Sequence, residues 1–170
     1  MNCTTRFLSS LFTTIAILFM PLHANAAATG TPHVPDSFLY DAVTGAIDLD
    51  TDTIKCGLTT SAYTYNRATH TKRSAITNEV TGTGYTAGGQ AVTSVVVTND
   101  TTNHKLSIVI TPAVWSGATT ITARNLFCYK SRGGASSSDE LILIDNFSAD
   151  ESSSGGTFTV SPITLEYTHF

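Results

Sequence analysis

TITARNLFCYK (120–130), followed after a Ser/Gly-rich turn by LILIDNF (141–147), decides the fold. Both are runs of apolar, β-branched and aromatic residues of strand length, bounded by turn formers. Working outward, the same pattern recurs in TIKCGLTT (53–60), AVTSVVVT (91–98), KLSIVITP (105–112) and GTFTVSPITLEY (156–167). Turns are read at Gly82–Gly89, Asn99–Asn103, Ser116–Thr119, Ser131–Asp139 and Ala149–Gly156, a spacing of about 8–12 residues that suits a sandwich. The expectation is an all-β chain folded as an antiparallel β-sandwich, Ig-like or jelly-roll-like. The two-residue period of strands turns Ile54, Leu58, Val95, Val97, Ile108, Ile110, Leu126, Ile142, Ile144, Phe158 and Val160 inward.

The amino-terminal segment is of another kind. Arg6 and the terminal amine precede an apolar run, Phe7 to Leu22, and Ala24-Asn25-Ala26 supplies a small-residue cleavage pattern, so residues 1–26 read as a secretory signal peptide. The run is short of the roughly 20 residues of a spanning helix and is broken by Ser9, Ser10, Thr13, Thr14 and Pro21. The competing readings are a membrane anchor and an apolar arm retained in an assembly. Residues 27–36, rich in Pro and Thr, read as an extended arm or linker. One short helix is expected next, capped by Asp36 or Ser37, with Phe38 and Ala42 on one face, Leu39 and Val43 on another, and Gly45 ending it. The single β-sandwich domain then spans 37–170.

Composition narrows the function classes. Of 170 residues 41% are hydrophobic, enough for one core, while only 13% are charged, about half the usual share. Thr supplies 30 of the residues, and a β-branched polar side chain suits a strand face meeting water or a neighbouring protein. A net charge of -4 with nine Lys and Arg gives no footprint for nucleic acid, so no nucleic-acid partner is expected. Membrane contact is expected only through the export signal.

Cys3 falls in the leader, leaving Cys56 and Cys128, both in strand runs. In an exported chain such a pair is a disulfide candidate; two buried thiols and pairing between subunits are the alternatives.

Other motifs fail on their chemistry. Asp48, Asp50 and Asp52 alternate as in a calcium loop, but Thr53 stands where the loop needs Gly and Thr59 where it needs a bidentate Glu, so no metal is assigned. Gly82, Gly84, Gly88 and Gly89 resemble a phosphate cradle without a following helix, and are read as a loop with positive φ. His33, His70, His104 and His169 fall in loops or termini with no nucleophile, G-x-S-x-G or H-E-x-x-H beside them. No catalytic residue, cofactor or enzyme activity is assigned. Trp115 reads as a buried anchor under the sandwich edge, the alternative being a sugar-stacking platform.

The block from Phe38 to Leu165 resembles a family of small virion proteins of tailed bacteriophages. The stretches that carry the resemblance are GAIDLDTDTIK (45–55), TSAYTYNRATH (60–70), EVTGTGYTAGGQAV (79–92), VWSGATTITARNLFCYK (114–130) and LILIDNFSADESSSGGTFTV (141–160). The resemblance implies a capsid decoration or cement subunit, a capping helix before a β-sandwich, and no catalytic residues. The chain departs from the family in its leader and in Cys56 and Cys128, where aliphatic residues are usual. Three function classes follow. The first is a non-enzymatic structural subunit that decorates or builds a multimeric particle, with copies of itself or a capsid or surface lattice protein as partners. The second is an exported surface or filament subunit, periplasmic or extracellular, assembling by strand addition through the arm and the alternating strand Ile163, Leu165, Tyr167. A third is a carbohydrate-binding module using Trp115 and the tyrosines. The leader places the chain outside the cytoplasm; the resemblance places it in a virion.

Overall fold

A computed structural model describes residues 27–168. The signal-peptide reading of 1–26, Cys3 and His169 lie outside the described residues. The elements are β1 (Thr31–His33), α1 (Phe38–Val43), β2 (Ile54–Thr59), a 3-10 turn at Arg73–Ala75, β3 (Gln90–Ala91), β4 (Ser94–Asp100), β5 (Lys105–Thr111), β6 (Trp115–Lys130), β7 (Leu141–Phe158) and β8 (Ile163–Thr168). They form two antiparallel sheets, one ordered β1-β7-β6-β2-β3 and the other β4-β5-β8. The described residues form an all-β sandwich with one short helix.

The main core lies between the sheets and joins Phe38, Leu58, Ile110, Trp115, Leu126, Ile142 and Phe158. Trp115 is fully buried, stacked near Tyr85 and edge-on to Phe158, so it is an anchor and no surface platform. Cys56 and Cys128 stand directly opposite on β2 and β6 and are joined by a disulfide, with Cα atoms 4.1 Å apart. Helix α1 buries Phe38 and leaves Leu39 and Val43 exposed. Its cap differs from expectation: Ser37 is the N-cap but its hydroxyl makes no capping bond. Gly45 ends the helix at φ +77°, a conformation a Cβ would strain.

Four sequence expectations are corrected. Ile144 is buried but on the opposite face from Ile142, because a bulge between Cys128 and Tyr129 sets Leu141 across from Tyr129 and inverts the parity of β7. It belongs to a second cluster with Tyr63, Phe127, Tyr129 and Leu141 on the outer face of the five-stranded sheet. Val97 is 40% exposed, since β4 is the last strand of its sheet and no strand covers it beyond Ile108. The turns read at Ser116–Thr119 and Ala149–Gly156 lie inside β6 and β7, which run through them by irregular pairing. Positive φ at Gly117, Ala118, Ser148 and Gly155 absorbs the extra residues. The arm is no free linker: β1 pairs with β7, and Ala28 bridges to Val160 ahead of β8, so it stitches the two sheets together.

Candidate functional site

The outer face of the five-stranded sheet carries a cleft of about 650 Å³. Its floor follows from strand register. Thr31, Asn146, Asn125 and Thr59 form one row across β1, β7, β6 and β2. Along this row Asn146 Nδ2 donates to Asn125 Oδ1 at 2.8 Å, Asn125 Nδ2 donates to Thr59 Oγ1 at 3.1 Å, and the Ser148 amide donates to Asn146 Oδ1 at 2.8 Å. Asn125 is 3% exposed, and a buried amide in a run otherwise apolar is tolerated because both its heteroatoms are bonded. The next row, Phe127, Ile144 and His33, makes an apolar border.

The wall is the segment Tyr63–Arg67 between β2 and the 3-10 turn. Tyr63 is buried in the second cluster and its hydroxyl is hydrogen-bonded to His70 Nδ1 at 2.8 Å. Burial pushes the Tyr63 hydroxyl well above its ordinary pKa and that of Tyr65 up to about 12, so both stay neutral across the physiological range. The His33 ring centroid lies 6.3 Å from that of Tyr65. At the rim Arg67 Nε donates to Asp36 Oδ1 at 2.6 Å, and the Asp36 amide donates to the Arg67 carbonyl, fixing the wall to the chain after β1. The lining therefore offers fixed amides, aromatic rings and one guanidinium, and no carboxylate or thiol.

An ion-pair cluster braces the adjoining loops. Glu140 accepts from Lys72 Nζ at 2.9 Å and Arg132 Nε at 3.0 Å, while Asp139 accepts from Arg73 Nε at 2.8 Å and the Arg132 amide at 2.9 Å. Burial pushes the Glu140 carboxyl up, but the bonds from Arg132 and Lys72 outweigh it and hold the group down at about 2. The Arg73 guanidinium also lies 5.0 Å above the Tyr129 ring.

The remaining sequence candidates are dispersed. Asp48 Oδ1 accepts from the Asp50 amide at 3.0 Å, and Asp52 Oδ2 accepts from the Asp48 amide at 2.6 Å and pairs with Lys130 Nζ at 2.7 Å. These carboxylates close a turn and tie it to β6. Among the described residues no group of three His, Cys, Asp or Glu is arranged to hold a metal. Gly82–Gly89 form a loop in which Glu79 Oε1 accepts from Tyr85 Oη and from the Gly88 amide, both at 2.6 Å. Gly89, at φ +67°, passes so close to the Cys56 carbonyl that a Cβ would collide with it. His104 lies in the β4–β5 turn, apart from His33 and His70. Asn125 and Asn146 are missed by motif reading. Their only sequence signal is a polar amide interrupting each of two apolar runs.

Compared with protein-family models, curated proteins and solved structures, the chain matches none.

Proposed function

We propose that the chain is a non-enzymatic structural subunit that builds or decorates a multimeric assembly, joining a second copy of itself through the edge strand β4. The observation that carries this reading is the chemistry of that edge. Among the described residues β4 pairs only with β5, leaving its other side open over Ser94–Asp100. Val96 is half exposed, Val97 nearly so, and neither Pro nor Lys guards the strand, which are the usual protections of a sheet edge. An antiparallel pairing of two copies centred on Val97 sets Val96 opposite Thr98, Val95 opposite Asn99 and Ser94 opposite Asp100. The one charge on the strand thus meets a hydroxyl and not its own copy. Exposed Leu39 and Val43 flank an apolar groove beside Val97, Leu106 and Ile108, which extends the apolar contact beyond the edge.

Export is the proposed setting. The leader pattern supports it, and so does an intrachain disulfide, which persists in oxidising compartments. The resemblance to phage virion proteins supports a lattice as the wider partner. Strand addition by the amino-terminal arm is the second reading, favoured by the brevity of β1, three residues at the end of its sheet.

Light scattering of the purified protein tests the proposal. The native protein is expected to run as a dimer or larger species, and Val96→Lys to run as a folded monomer whose melting temperature, unlike the native one, does not change with concentration. A native protein that stays monomeric at high concentration contradicts it.

A further inference from the structure

We propose that the cleft between Tyr65 and the Asn125–Asn146 pair is a binding site for a neutral, hydroxyl-rich ring, that is, a saccharide residue. This inference is independent of the assembly at β4, which lies in the other sheet.

Four features of the cleft select that class. Its volume, about 650 Å³, falls within the range of small-ligand sites. Its floor is two side-chain amides fixed by each other, by Thr59 and by the Ser148 backbone. Each amide NH2 carries two donors and the chain of bonds uses one of each, which leaves a second donor on Asn146, the less buried of the two, for an incoming oxygen. Because the floor is already hydrogen-bonded, it need not reorganise to receive hydroxyl groups. Its walls are Tyr65 and His33, whose rings can meet the C–H face of a pyranose while the amides meet its edge. Finally, the only guanidinium in the lining, Arg67, is engaged by Asp36. That pairing, made through Nε, balances the guanidinium charge, so the lining carries no uncompensated charge to draw an anion, and a cation finds no carboxylate in the lining.

The two residues that make the floor belong to the rigid part of the fold. Asn125 and Asn146 sit on neighbouring strands, close in sequence to the disulfide-bonded Cys128 and the core residue Leu143. Tyr65, by contrast, belongs to the connecting segment, which the Arg67–Asp36 contacts tie to the chain after β1. A site built in this way recognises the pattern of hydroxyls through the floor and tolerates variation in what extends beyond the wall.

The test is a two-dimensional NMR titration of the full-length protein with glucose, galactose, mannose, N-acetylglucosamine and galacturonate. At least one neutral sugar is expected to shift the side-chain amide signals of Asn125 and Asn146 saturably, with a dissociation constant of about 1 mM or tighter. Tyr65→Leu, which keeps bulk but removes the ring, is expected to weaken that binding about tenfold. Signals from β5 report whether the variant remains folded, and Asn146→Ala provides a second variant should it not. The proposal is overturned if no neutral sugar moves those amides at about 50 mM, if both variants bind as the native protein does, or if galacturonate binds more tightly than galactose.

Discussion

The two sheets are built to different standards. At the centre of the five-stranded sheet, Asn125–Tyr129 of β6 and Leu141–Asp145 of β7 are buried without a break, because the core covers one face and the second cluster covers the other. In the three-stranded sheet β5 keeps its core-facing Ile108 and Ile110 buried, while β4 has no fully buried residue. A disulfide, a chain of amides and an ion-pair cluster all fall on the first sheet or on the loops that cover it. On the proposed reading the difference separates holding the fold from meeting a partner: the disulfide, the amide chain and the two-sided burial fall on β2, β6 and β7, while the β4 edge stays open.

That contrast can be broken from the strong side first. The disulfide closes a separation of 72 residues, which the chain-entropy model values at roughly 4 kcal/mol. Replacing Cys56 or Cys128 by Ser is expected to lower the melting temperature by about 10 °C or more, measured by calorimetry. Non-reducing electrophoresis should show a monomer-sized band for the native chain.

Glu140→Gln is next. It removes a buried carboxylate that bonds two partly exposed cations, so a loss of about 2 kcal/mol is expected by denaturant titration. Because the folded pKa is depressed to about 2, the carboxylate's contribution is complete above its ordinary value near 4.5 and is lost as pH falls toward 2. The gap between Glu140→Gln and native protein should therefore close on acidification.

Asp145 sharpens the comparison in the opposite sense. Its carboxyl is 2% exposed beneath the arm, and Oδ1 has no hydrogen-bond partner. Burial pushes its pKa up to about 6, against the pull of His33. A raised carboxyl pKa means the folded state binds the proton more tightly, so stability falls as pH rises from about 4 through 6. Asp145→Asn is expected to gain about 2 kcal/mol at pH 7.5 and almost nothing below pH 4, read as the difference between two unfolding curves. No gain at neutral pH would mean that the arm and sheet already satisfy the charge.

The general architecture was legible because alternation is a property of each strand alone: Ile108 with Ile110, and Ile163 with Leu165, announce their faces directly. The opposed cysteines were legible as a candidate pair for the same reason, both standing in strand runs. The parity of Ile144 was not legible, since it depends on a bulge created by pairing with β6. The unbroken runs NLFCY and LILI do contain a signal of burial on two faces, which a strict two-residue reading passes over. Exposure of Val97 depends on what lies above it, and no local pattern encodes a missing neighbour. The cleft was least legible: its floor comes from residues 125 and 146 and its wall from 33 and 63–67, brought together only by register.

Assembly through the open edge of β4 is the proposed role of that strand. Amide hydrogen exchange followed by NMR from about 10 μM to about 1 mM tests it most directly, because pairing protects the edge only when a second copy is present. Exchange in β4 is expected to slow about tenfold or more with concentration while β6 and β7 stay constant. Exchange in β4 that is fast and independent of concentration throughout would contradict the account.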